Sequence, residues 1–134
     1  MSIIKATRSW LGGFDGMTVL TETTQGVGTY SLAPSGNAVK SVDIMGNRTY
    51  QNSYVFLAKE NRLNEVDRQD TFDFLESLTA WVEEQADAEN YPVLSEPYIV
   101  DGIEVSNGML IDVDDNGEGT YQVQIQIYIT KRSK

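Results

Sequence analysis

Between residues 120 and 130 apolar and polar positions alternate without a break. Tyr121, Val123, Ile125, Ile127 and Ile129 take the odd positions, and Gln122, Gln124, Gln126, Tyr128 and Thr130 the even ones. Successive side chains of a β-strand point to opposite faces, so this pattern predicts a strand with one apolar and one amide-rich face. A helix would scatter the five apolar residues around its circumference, and four of them are β-branched. At ~3.4 Å per residue the strand reaches ~37 Å, about twice the common length. Such a strand is expected to bend at the margin of its domain or to extend towards a neighbour. Just upstream lies the short apolar run Met109–Val113, followed by an acidic stretch containing Asn116-Gly117. Asn-Gly between strand-like runs signals a hairpin, because both residues tolerate the positive φ of a tight turn.

Earlier periodicities supply the cover for that apolar face. Ser2 can cap a short helix over Ile3–Leu11, with Ile3, Ile4, Thr7, Trp10 and Leu11 on one side and Gly12-Gly13 as its stop. Residues 17–23 read as a strand, 25–28 as a loop, 29–32 as a brief extended piece and 33–37, with Pro34 and Gly36, as a turn. Residues 39–49 have β character. Residues 50–59 form a further strand that is apolar on both faces (Tyr54, Phe56 and Ala58 against Val55 and Leu57), which predicts a central place in the sheet. The main helix is expected over residues 68–88 with Asp67 as N-cap. Phe72, Leu75, Leu78, Val82 and Ala86 form its apolar stripe, widened by Phe74 and Trp81, and Asp73, Glu76, Glu83, Glu84 and Asp87 lie opposite. Asn90-Tyr91-Pro92 ends it. Tyr98–Val105, interrupted by Asp101-Gly102, adds a strand before the closing hairpin. The predicted fold class is α+β: a mainly antiparallel twisted sheet covered by a long amphipathic helix and a short N-terminal helix. The expected order is α-β-β-β-β-α-β-β-β, in a single domain spanning residues 1–134.

Composition narrows the chemistry. The chain has no Cys and no His, which removes thiolate nucleophiles, zinc–thiolate sites and the commonest general base. No apolar run approaches the ~20 residues that cross a bilayer, and the start of the chain shows no signal-peptide pattern, so an intracellular product is expected. Twenty acidic residues against ten basic ones leave a formal charge of −10, which opposes ordinary binding to nucleic acid or anionic membranes. Asp112-Val113-Asp114-Asp115-Asn116-Gly117 matches the first half of a calcium loop, but the twelfth position is Val123 where calcium needs a bidentate Glu. An acidic hairpin turn, with at most a weak cation at its tip, is the reading that fits. Gly26 and Gly28 lack the Lys and the following helix of a phosphate loop. A carboxylate pair of the glycosidase type is the one enzymatic chemistry compatible with the composition, and no particular pair stands out. No catalytic, cofactor-binding or metal-binding residue is therefore assigned. Lys131-Arg132-Ser133-Lys134 forms a basic tail that can blunt an edge strand or meet an acidic patch on another copy.

Several stretches resemble a family of small phage proteins when taken in order. They are Thr29-Tyr30-Ser31-Leu32-Ala33-Pro34, Tyr54-Val55-Phe56, the helix core from Phe74-Leu75-Glu76-Ser77-Leu78 to Trp81-Val82-Glu83-Glu84-Gln85, Pro92-Val93-Leu94, and the ending Gly108-Met109-Leu110 … Tyr121-Gln122-Val123-Gln124. The sequence is similar over nearly its whole length to the minor capsid or tail-terminator proteins of tailed phages and prophages of Gram-positive bacteria. The resemblance implies an α+β subunit of a six-membered ring at the head-proximal end of the tail tube. Such a ring stops tube growth, contacts the tail-tube protein and the head connector proteins, and lets DNA pass without specific binding. It implies no catalytic residues, no cofactor and no membrane, and a place in the virion after assembly in the host cytoplasm. A different head–tail joining, head-completion or tube component is the alternative, and a carboxylate-based hydrolase a remote one. Gln122, Gln124, Gln126, Tyr128, Lys131 and Arg132 are the candidate interface residues. Since each copy carries ten net negative charges, assembly is expected to depend on salt, cations or a basic partner.

Overall fold

The chain runs α1 (Ile3–Leu11), β1 (Val19–Thr21), β2 (Thr29–Val42), β3 (Arg48–Asn61), α2 (Glu65–Asp87), β4 (Tyr98–Val105), β5 (Met109–Val113) and β6 (Glu118–Lys131). The computed structural model describes residues 3–14, 19–21, 29–61, 65–106 and 108–132. The predicted Ser2 cap, the 25–28 loop and Asn107 lie outside the described residues. The fold is α+β as expected. Its strands make one sheet in the order β1-β2-β3-β6-β4, with β5 also paired to β6. β1 runs parallel to β2, and every other ladder is antiparallel.

The two pieces expected at 29–32 and from 39 onwards, with a turn between them, are the two halves of β2. Counted once, β2 leaves three strands before α2. Pro34 pairs with Tyr54 and Gly36 with Ser53, so Ser35 is the extra residue of a bulge. β3 offers an unbroken template on both sides of that irregularity, and Gly36 takes a φ of 145° that an L side chain rarely adopts. The Pro and Gly that would signal a turn here mark a bulge. The true reversal comes later. Asp43 N–H donates to Asn47 O at 2.9 Å, Gly46 N–H donates to Asp43 O at 3.0 Å, and Gly46 has φ 85°.

β6 keeps its alternation. Tyr121, Val123, Ile125, Ile127 and Ile129 are all fully buried. Its neighbours differ from the expectation that so long a strand lies at a margin or reaches outwards. One side pairs with β3 from Arg48↔Lys131 to Asn61↔Glu118. The other side carries β4 against residues 125–131 and β5 against residues 119–122. Ser106 closes the gap between them: its N–H donates to Gln124 O at 2.9 Å, and its Oγ accepts from Gln124 N–H at 2.9 Å. The length of β6 is what lets two shorter strands lie end to end along it, so this is an interior strand. β3 is central, as its two apolar faces predicted.

Both helices cover the same face. α2 begins three residues before the expected start, at Glu65, so Asp67 lies inside the first turn instead of capping it. Its buried stripe is Thr71, Leu75, Leu78, Thr79 and Val82. Phe72 stands on the flank, 44 % exposed, with its ring edge-on to Tyr121 at 5.4 Å. α1 buries Ala6, Thr7 and Leu11. It is tied to α2 by Trp10 against Trp81 at 5.0 Å and by Phe14 against both Phe74 and Trp81 at 5.8 Å. The indole N–H of Trp10 also donates to Asn90 O at 2.8 Å, so Trp10 serves as a packing anchor. α2 ends in a Schellman motif, with Asn90 N–H donating to Gln85 O at 2.8 Å and Glu89 at φ 56° in the position glycine usually fills. Among the described residues no helix is long and apolar enough to cross a membrane.

Candidate interaction surfaces

With both helices on one side, the even-numbered side chains of β6 point to a face on which no described helix lies. Gln122, Gln124, Gln126 and Tyr128 form one row there. The register places Leu57, Val55 and Ser53 of β3 beside the first three. Gln124 is exposed and the other three of the row are half-buried. The Tyr128 hydroxyl donates to Gln126 Oε1 at 3.2 Å. Burial, then a hydrogen bond to Glu104 and its negative charge, pushes the Tyr128 phenol above its usual value. Lys131 belongs by parity to the opposite face, where its Nζ stands 5.9 Å from the centre of the Tyr98 ring. Arg132 is exposed, and its backbone N–H donates to Pro97 O at 3.0 Å. Four of the six predicted interface residues therefore share one face, and the two cations lie at the end of the sheet.

The acidic turn between β5 and β6 repeats the geometry of the β2–β3 turn. Asp114 N–H donates to Glu118 O at 2.9 Å, Gly117 N–H donates to Asp114 O at 3.1 Å, and Gly117 has φ 78°. Only the glycine of the Asn116-Gly117 pair takes a positive φ, so this is a type I turn closed by a glycine bulge and not a two-residue primed turn. Asp114 Oδ1 accepts from the N–H groups of Asn116 and Glu118 at 2.9 and 3.0 Å. Its Oδ2 lies 3.5 Å from Lys59 Nζ, which also stands 3.4 Å from Glu118 Oε1. Both carboxylate oxygens of Asp114 are thus engaged, one by the backbone of the turn and the other by Lys59 of β3. Among the described residues no three acidic side chains converge as a metal site.

The backbone N–H of Glu118 is the largest cause holding Asp114 below its ordinary 3.8, with the N–H of Asn116 and the charge of Lys59 adding to it. A depressed carboxylate contributes stability above its unfolded pKa and loses it as pH falls through the folded value. Asp114→Asn keeps the Oδ1 acceptor and removes the charge. It is expected to lower the urea midpoint at pH 7, and the gap to wild type should close as pH drops below the ordinary Asp range. Burial pushes the Glu60 carboxyl up, partly offset by the Tyr30 hydroxyl donating to its Oε1 at 3.4 Å.

Sequence reasoning missed two apolar patches. Val42, Ile44 and Met45 are exposed at the β2–β3 turn, and Ile44 at 102 % is wholly in solvent. Met109, Ile111 and Val113 of β5 are also exposed. Along α2, Phe72, Leu75, Glu76 and Thr79 line an open cleft of about 270 Å³ together with Gly108. The signal for the first patch was present in the sequence, since Ile44-Met45 immediately precedes the turn-forming Gly46-Asn47. No protein-family model matches the sequence, and no curated protein matches it.

Proposed function

We propose that the protein is a structural component of a phage virion: a tail terminator that forms a homohexameric ring, caps the head-proximal end of the tail tube and joins it to the head connector. The observation that carries this reading is that the described helices clad one face of the sheet. It leaves the row Gln122, Gln124, Gln126 and Tyr128, with Val55 and Leu57 beside it, for contact with other subunits. The ordered sequence resemblance supports the same role. The acidic surface suits a ring through which DNA slides, since it repels phosphates where a basic lining would bind them. The tail-tube protein and the head connector proteins are the axial neighbours in this reading. Deleting the gene from its phage should give overlong tails. Normal tails on empty or leaking heads would instead assign a head-completion role and overturn the terminator reading.

A further inference from the structure

Both lateral margins of the sheet stay open over the same stretch. β1 pairs with β2 only at residues 30–32, so no described strand pairs with the outer edge of β2 from Pro34 to Val42. On the far side β4 pairs with β6 alone, and its outer edge is equally unpaired among the described residues. Followed across the ladders, Val42 is level with Arg48, Lys131 and Tyr98, and Pro34 with Tyr54, Ile125 and Val105. The two open edges therefore begin and end at the same heights.

Their direction and bonding also match. At these heights the strands β2, β3, β6 and β4 are each antiparallel to the next, so the two outermost run opposite ways. Asp43 N–H donates to Asn47 O, and Arg132 N–H donates to Pro97 O. Bonded and non-bonded pairs alternate along an antiparallel ladder, so the next pairs, Val42 with Arg48 and Tyr98 with Lys131, are non-bonded. The backbone groups of Val42 and Tyr98 thus point out of the sheet at its two margins. The same alternation turns out Val39 on β2, and Val100 and Ile103 on β4. Ser106 N–H donating to Gln124 O turns out Val105 at the other end. The Tyr98 N–H goes to Ser95 O at 3.1 Å, but no described group meets the outward groups of Val39, Val42, Val100, Ile103 and Val105.

We propose that β2 of one copy pairs with β4 of a second copy, residues 36–42 antiparallel to residues 98–104, so that the sheet continues from subunit to subunit. This rests on the ring reading above and names the edges that would close the ring. Because the edges match in height, a copy joins sideways with no stagger along the strands, which a closed ring needs and a filament does not. The helix-bearing faces stay aligned, and Val42, 57 % exposed, is laid beside Tyr98 as a cross-strand pair. Pro34 has no N–H to offer and marks where the ladder stops. Pairing β4 with β4 of another copy would instead gather the exposed Asp101 and Glu104 of both copies on one seam. Residues 34–42 contain no acidic residue. The row Gln122, Gln124, Gln126 and Tyr128 is left uncovered by this contact.

Ser41 and Ile99 are level through Thr49 and Thr130, and their backbone groups point into the sheet. Across the seam they form a non-bonded pair with Cα atoms about 4.5 Å apart, within reach of a disulfide. The chain has no native cysteine. Proteins carrying Ser41→Cys and Ile99→Cys are oxidised separately and as a mixture, and the mixture should give linked dimers that neither gives alone. The double variant should give a ladder of longer linked chains. Val39→Pro removes an outward N–H without taking a bond from β3. By light scattering it should dissociate about tenfold or more easily than wild type, with an unchanged circular dichroism spectrum. Dimers formed by either single variant alone would mean that like edges pair, and would overturn the proposal. If wild type is oligomeric but the mixture does not cross-link and Val39→Pro assembles equally well, the edge contact is wrong while the ring reading stands. If wild type is a monomer at every salt concentration, even with tail-tube protein present, both fall together.

Discussion

Leu78→Ala is expected to lower the unfolding free energy by about 2–5 kcal/mol, the usual span for cutting a buried leucine to its β-carbon. Leu78 is fully buried in the α2 stripe, one turn from Leu75 and from Val82, so the deleted methyl groups leave a void lined by helix and sheet. Total stability for a domain of this kind is only about 5–15 kcal/mol, so the variant should be marginal at 37 °C. Urea unfolding followed by tryptophan fluorescence reads the loss directly, because Trp10 and Trp81 both sit in the seam between the helices. Ser77→Ala, one residue away on the exposed side of α2, is the control and should stay within about 0.5 kcal/mol of wild type. Equal losses in the two variants would mean that α2 does not hold its observed face to the sheet.

Gly108→Ala carries the opposite kind of strain. A Cβ built at Gly108 would lie 2.7 Å from Leu75 Cδ1, 2.9 Å from its Cβ and 3.1 Å from its Cγ. The Leu75 Cβ is fixed to the helix backbone, so a change of rotamer cannot clear the contact. Either α2 or the start of β5 must shift, and such overpacking costs about 1–3 kcal/mol. Shortening Leu75 to alanine removes Cδ1 and Cγ but leaves the 2.9 Å contact. The double variant Leu75→Ala/Gly108→Ala should therefore recover only part of the loss in a double-mutant cycle. Full recovery would place the clash in the outer side chain and not in the approach of the two backbones.

The period-two run from Tyr121 to Ile129 and the spacing of Leu75, Leu78 and Val82 made the two main layers legible, because each pattern states which face is buried. Neither states which strand lies alongside. Alternation assigns faces and not neighbours, so the interior place of β6 could not be read, and its length pointed outwards when it in fact spans β4 and β5 together. Phe72 misled for a related reason. A stripe centred on Leu75, Leu78 and Val82 passes through Thr71 one turn earlier, and hydrophobicity alone favoured its larger neighbour. In the same way Pro34 and Gly36 broke a local pattern whose continuity was set by β3. Of the candidate interface, the row Gln122, Gln124, Gln126 and Tyr128 was legible as a face from parity. Lys131, a candidate through the basic tail, has odd parity and lies on the other face. The tip at Ile44 and Met45 stayed hidden, because apolar residues beside a turn look the same whether they fold inwards or project.

The interior position of the last strand also bears on how the chain acquires its shape at the ribosome. β1, β2 and β3 form one ladder group, β4 and β5 make no described ladder with it, and β6 is what joins them. Translation at about 5–20 residues per second leaves roughly 3–11 s between the emergence of Asn61 and that of Glu118, since 57 positions separate them. Throughout that interval the inner margin of β3 is an open template with Tyr54 and Phe56 uncovered on one side. The nascent polypeptide is at its most vulnerable to mispairing in those seconds, and a chaperone that shields β3 would act at that stage and not after release.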